Sequence, residues 1–209
     1  MQPCSRRGGN NFSGTVENHG TTTLQWVNFN SGTTFNNRAG VLTFNGSNAN
    51  GPINIHNAAG ATFQTIGNIT LTSGSEVVNH GVINTASNGI MEIQSGTRFI
   101  NHGAMHMNGN NLNSGGIVEN YGYIDDVGEL HVNNGSFLNA CTVANADRII
   151  NGGAMTNSGF FVVSGGDGFF TNNGTLLQEP NAVIAGAEFV NDDSVSGGGS
   201  YHFTGSTKN

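Results

Sequence analysis

Seven histidines and two small groups of carboxylates are the side chains best equipped for chemistry here. His19, His80 and His102 each follow an asparagine and precede a glycine, and Tyr121 takes the same place one step on. Imidazoles on neighbouring rungs of a sheet, ~5 Å apart, could share a metal ion, which makes His80 and His102 the candidate ligand pair. The same position also holds Arg38, Ala58, Ala140, Ser158 and Asn173, which is how an exposed corner behaves. His106 and His131 find no partner in the pattern and read as solvated. Asp125, Asp126 and Glu129 form one acidic group and Asp192-Asp193 another. Carboxylates facing each other across a cleft can split a glycosidic bond by acid and base work. No paired acids on adjacent rungs are visible, and Arg98 and Arg148 are the only cations across the middle. Gly165-Gly166-Asp167-Gly168 is similar to a calcium-binding turn, in a single copy. No catalytic residue and no cofactor is expected.

The elements that position these residues come from a repeat. Val77-Val78-Asn79-His80-Gly81 returns as Phe99-Ile100-Asn101-His102-Gly103 and as Val118-Glu119-Asn120-Tyr121-Gly122. Counting weaker copies, the anchors are Asn18, Asn37, Asn57, Asn79, Asn101, Asn120, Asn139, Asn157, Asn172 and Asn191. The steps between them run 19, 20, 22, 22, 19, 19, 18, 15 and 19, the period of a solenoid. Two residues before them stand Val16, Phe35, Ile55, Val77, Phe99, Val118, Phe137, Met155, Phe170 and Phe189, all apolar. The residue between varies freely, so one face of a strand points inward. Asn and Gly then tolerate the positive φ of a sharp corner. Apolar positions after the corner (Leu42, Ile83, Met105, Ile124, Phe161, Leu176) give a second strand, and runs such as Ile69–Leu71 and Met91–Ile93 a third. The fold class expected is all-β, a single-domain parallel β-helix (β-solenoid) of about ten coils of roughly 20 residues, its corner asparagines stacked as an amide ladder. The pattern divides the chain into a flexible leader or cap at 1–11, repeats over 12–205 and a tail at 206–209.

Composition narrows the function. Only 9% of residues are charged, the net charge is −7 and Lys208 is the single lysine, which disfavours nucleic-acid binding. No apolar run reaches the roughly 18 residues that a membrane-spanning helix needs. Cys4 and Cys141 fall about six coils apart, ~30 Å at the strand spacing, too far to bridge. Cys141 takes the glycine place of its corner as a half-buried filler. The residues after the corner glycine (Thr21, Val41, Ala61, Val82, Ala104, Tyr123, Phe160, Thr175) form no threonine rank of the kind that binds ice.

The (Phe/Val)-x-Asn-x-Gly corner, repeated every ~20 residues with Ser/Asn-Gly closures, resembles the β-strand repeat regions of bacterial surface adhesins of autotransporter and filamentous type. That resemblance spans roughly residues 12–205. It implies an extracellular or cell-surface stalk, fibre or matrix component and carries over no binding residue. The expected role is therefore structural and adhesive and not enzymatic, with ranks of Asn, Thr, His and Tyr presented to surface glycans, to proteins or to like subunits associating end to end or laterally. The rival is a carbohydrate-active β-helix enzyme, a polysaccharide lyase or hydrolase. Three or more acidic or basic residues converging on one groove would favour it.

Overall fold

Alternation of a fixed apolar residue with a free one leaves each strand one face to bury, and the short period lets successive copies bury it against each other. The computed structural model describes residues 4–7, 11–86, 89–164, 168–205 and 207–208. They form a parallel β-solenoid of about nine turns, with no helix among them.

Most coils contribute three strands, and equivalent strands of neighbouring coils pair in parallel; on the third face Asn11–Phe12, Asn28–Phe29 and Asn48–Ala49 form a separate short sheet, and the main ladder begins at Ile69–Leu71. On the first face the inward column reads Val16, Phe35, Ile55, Val77, Phe99, Val118, Phe137 and Met155. Leu176 and Val195 then continue it. The second face begins after the asparagine corner and stacks Leu42, Phe63, Ile83, Met105, Ile124, Val143, Phe161 and Ile184. On the third, Ile69, Met91, Leu112, Leu130, Ile149, Phe170 and Phe189 are in register. Phe170 and Phe189 thus lie on the third face, one corner away from the column in which the repeat spacing puts them. The cause is local: Ile149-Ile150-Asn151-Gly152-Gly153 repeats the corner motif at the end of the third face, six residues before Asn157.

The three columns meet in one core. Phe29, Phe35, Phe44 and Phe63 are all buried, and Phe35–Phe44 and Phe44–Phe63 meet edge to face at 4.8 Å. Each such side chain contributes roughly 1.5–3 kcal/mol by burial, and an edge-to-face pair adds about 0.5–1.5 kcal/mol. Cys4–Arg7, in the expected leader, pairs in parallel with Thr22–Gln25, and Thr207–Lys208, in the expected tail, is a strand lying along Glu188–Asn191.

Corners are built for close approach. A Cβ at Gly103 would overlap the carbonyl oxygen of Gly81 one coil below. Ala61 and Cys141 nonetheless occupy this glycine column. Cys141 is an exposed free thiol and not a half-buried filler, since its side chain points out of the corner. The next corner turns through left-handed residues, among them Asn108, Asp126 and Asn145 at φ 51, 53 and 54. Trp26 does the same at φ 55 in an early coil, and it is 60% exposed.

Candidate functional site

Asparagine carries a donor and an acceptor on one short arm, so a stacked column can pass hydrogen bonds from rung to rung. Asn18 Nδ2 donates to Asn37 Oδ1 at 2.7 Å, Asn37 to Asn57 at 2.7 Å and Asn57 to Asn79 at 2.7 Å. The column continues through Asn101 and Asn120 at 2.8 Å, then through Asn139 and Asn157 at 2.9 Å. The same amides also donate to carbonyls of the next coil, as Asn79 does to Ala104 at 3.1 Å. All these residues are buried. The next rung is Gln178, whose Oε1 accepts from Asn157 at 3.0 Å. Asn172 and Asn191 belong to a second ladder that starts at Asn151, with Nδ2 to Oδ1 distances of 2.7 Å at both steps. Below Asn151 its column holds Val132, Ser114 and Ile93. The short step from Asn157 to Asn172 is thus a change of corner.

Outside the first ladder runs the histidine column. His80 and His102 stack with ring centroids 4.8 Å apart and planes 6° from parallel, and Tyr121 follows at 5.1 Å. Rings stacked face to face direct their nitrogen lone pairs side by side, so in this arrangement the pair does not converge on one metal ion. Among the described residues no three His, Cys, Asp or Glu side chains form a metal-binding group. His19 stands before this stack, at the corner of its own coil.

Two histidines that the pattern left solvated have partners. His106 Nδ1 lies 2.7 Å from Asp125 Oδ1, and His131 Nε2 lies 3.0 Å from Glu129 Oε2. The first pair exists because the register of the second face puts His106 directly over Asp125 of the neighbouring coil. Beside them, burial and then the Asp125 carboxylate raise the Tyr123 hydroxyl above its ordinary value. Glu17, on the exposed surface, is lowered chiefly by a hydrogen bond from Asn36, with Arg38 adding to it. Arg98 spans three coils, 3.7 Å from Glu76 and 2.7 Å from Glu119. Asp192 and Asp193 sit at the corner after Asn191. The turn at 165–167 lies outside the described residues.

A groove of about 640 Å³ runs along the outside of the third face. Gly109, Asn111, Gly128, Glu129, Asp147, Arg148, Phe169, Thr171 and Val190 line it. Glu129, Arg148 and Phe169 are successive rungs of one outward column, and Thr171 and Val190 belong to the next. Two glycines make the shoulder low on one side: a Cβ at Gly109 would meet nothing within 4 Å. The Glu129 carboxylate is engaged by His131 on one oxygen and by Arg148, 3.8 Å away, on the other. Three charged residues, Glu129, Asp147 and Arg148, therefore converge on one groove. Glu129 and Arg148 stood out in the sequence, but Asp147, Asn111 and Phe169 did not. Asp147 lies just before the crowded corners at Asn151 and Asn157, and nothing in the sequence marks Asn111 or Phe169.

Comparison with protein-family models, with curated proteins and with solved structures yields no match for this chain.

Proposed function

We propose that this chain is a non-enzymatic structural and adhesive segment, a stalk or fibre at the cell surface or outside the cell, whose partners are surface glycans, surface proteins or copies of itself. The observation that carries this reading is the unbroken amide column from Asn18 to Gln178. From Asn18 to Gln178 each coil is tied to the next by side-chain hydrogen bonds as well as by parallel strand ladders, a construction suited to a stiff spacer. The outer surface has few charges and presents rows of Asn, Thr, His and Tyr, which suits many weak contacts along a rod. A net charge of −7 favours neither nucleic acid nor an anionic lipid surface.

One observation favours a second reading. Glu129, Asp147 and Arg148 share a groove, as a carbohydrate-active β-helix would require. Beads coated with this chain separate the two. The structural and adhesive reading expects beads to adhere under flow to polysaccharide-coated surfaces or to each other, with no new reducing ends or unsaturated products released from a polysaccharide panel. Product release would overturn it in favour of the enzyme. Beads that adhere to nothing would remove the adhesive role.

A further inference from the structure

The shape and lining of the groove specify more than its presence. Its walls come from five successive coils, Gly109 and Asn111 in the first and Val190 in the last. Five coils are four steps of ~4.8 Å, so the groove follows the rod axis for about 19 Å. An occupant must be elongated.

The lining then selects among elongated molecules. A peptide strand would need free backbone edges to add to, but the parallel ladders of this face already use the backbone groups of residues 129–133, 148–152 and 169–172. What remains is side-chain chemistry: carboxylate acceptors on Glu129 and Asp147, guanidinium donors on Arg148, the Asn111 amide, the Thr171 hydroxyl and the partly exposed Phe169 ring. Hydroxyl groups both donate and accept and so match such a mixed set, while the apolar face of a sugar ring fits an aromatic side chain. The charged lining sums to −1 (Glu129 and Asp147 against Arg148), which opposes an acidic chain. We propose that this groove binds a neutral oligosaccharide lying parallel to the solenoid axis, with Phe169 as the stacking platform and Glu129, Asp147 and Arg148 holding the hydroxyls. This rests on the adhesive reading and gives it a place on the molecule.

Binding of cellohexaose and of chitohexaose to the soluble chain, followed by calorimetry and by NMR shifts, tests it. Hexagalacturonate serves as the acidic comparator. At least one neutral hexasaccharide should bind, with shifts confined to the groove, and hexagalacturonate should bind at least tenfold more weakly. Phe169→Ala and Arg148→Ala should each weaken binding about tenfold. Gly109→Asn supplies a check that does not touch the lining side chains: Asn tolerates the φ of +75 there and puts an amide into open space. It should block the groove while leaving the melting temperature near that of the parent chain. Glu17→Gln, at an exposed position near the start of the rod and outside the groove, should leave binding unchanged.

Absence of binding by both neutral probes would overturn the proposal and leave the rod reading standing, as would binding that Gly109→Asn and Phe169→Ala fail to weaken. Preference for hexagalacturonate would overturn the assignment to neutral chains. Binding followed by cleavage would support the groove and overturn the non-enzymatic reading instead.

Discussion

At Asn101 the amide accepts from Asn79 and donates to Asn120, with the carbonyls of Gly103 and Tyr123 also within 3.2 Å. Replacing it by alanine leaves buried groups without partners, at roughly 1–3 kcal/mol for each one stranded. Asn101→Ala should therefore lower stability by about 2–4 kcal/mol in denaturant unfolding. Two neighbours bracket that figure. Phe99 is 1% exposed in the inward column, so Phe99→Asp should cost at least about 4 kcal/mol through lost packing and an unpaired buried carboxylate. His102→Asp, out on the exposed corner, loses only ring stacking and should cost under about 1 kcal/mol. Equal stability of the Phe99 and His102 variants would mean the inward face is misassigned. Near the other end of the rod, burial raises the Tyr201 hydroxyl above the ordinary 10.0. A raised value means the fold favours the protonated ring. Its stabilising share is whole below the unfolded value near 10 and is lost as pH rises through the higher folded one. Hydrogen exchange should show the coil of Tyr201 loosening in that alkaline window, and Tyr201→Phe should remove the effect.

One five-residue motif makes two different corners at the level of elements. Met155-Thr156-Asn157 closes the first face and Phe170-Thr171-Asn172 the third. The two asparagines thus sit on separate ladders although they are consecutive anchors in the chain. Double-mutant cycles read this directly. Asn151→Ala and Asn172→Ala should couple by at least about 0.5 kcal/mol, because these amides share a hydrogen bond at 2.7 Å. Asn157→Ala and Asn172→Ala should add within about 0.5 kcal/mol. The reverse outcome would restore a single ladder. Ion pairs are a lesser device at this level. The exposed bridge of Arg98 to Glu76 and Glu119 should be worth under about 1 kcal/mol and should fade with salt.

Taken whole, the molecule is a rod. About nine turns, at ~4.8 Å each, give it a length of about 43 Å. Among the described residues the outermost strand of each face has a partner on one side only, and such edges recruit further strands unless they are covered or charged. A contact of head to tail never closes on itself, so it yields filaments. The chain, prepared by itself at micromolar concentration, is expected to form rods with a subunit repeat of about 43 Å in electron micrographs. A stable monodisperse monomer in light scattering would count against self-assembly, leaving glycans and surface proteins as the partners.

Sequence by itself determined the strands, the corners and the solenoid. Those features are local or nearly so: a side chain two residues before Asn must face the same way as Asn, and a period near 20 brings like to like. The amide ladder from Asn18 to Asn157 was legible for that reason. What the motif does not encode is which of three similar corners it occupies, because every corner asks for the same turn residues. Only the packing of whole coils, with Gln178 standing over Asn157 and Asn172 over Asn151, decided it. The groove was decided the same way. Glu129, Arg148 and Phe169 are unevenly spaced along the chain and carry no common motif, yet the register of the third face sets them on adjacent rungs. Chemistry that depends on side chains from different coils is written in the lengths of the coils between them, and those lengths acquire a meaning only once the core has fixed the register.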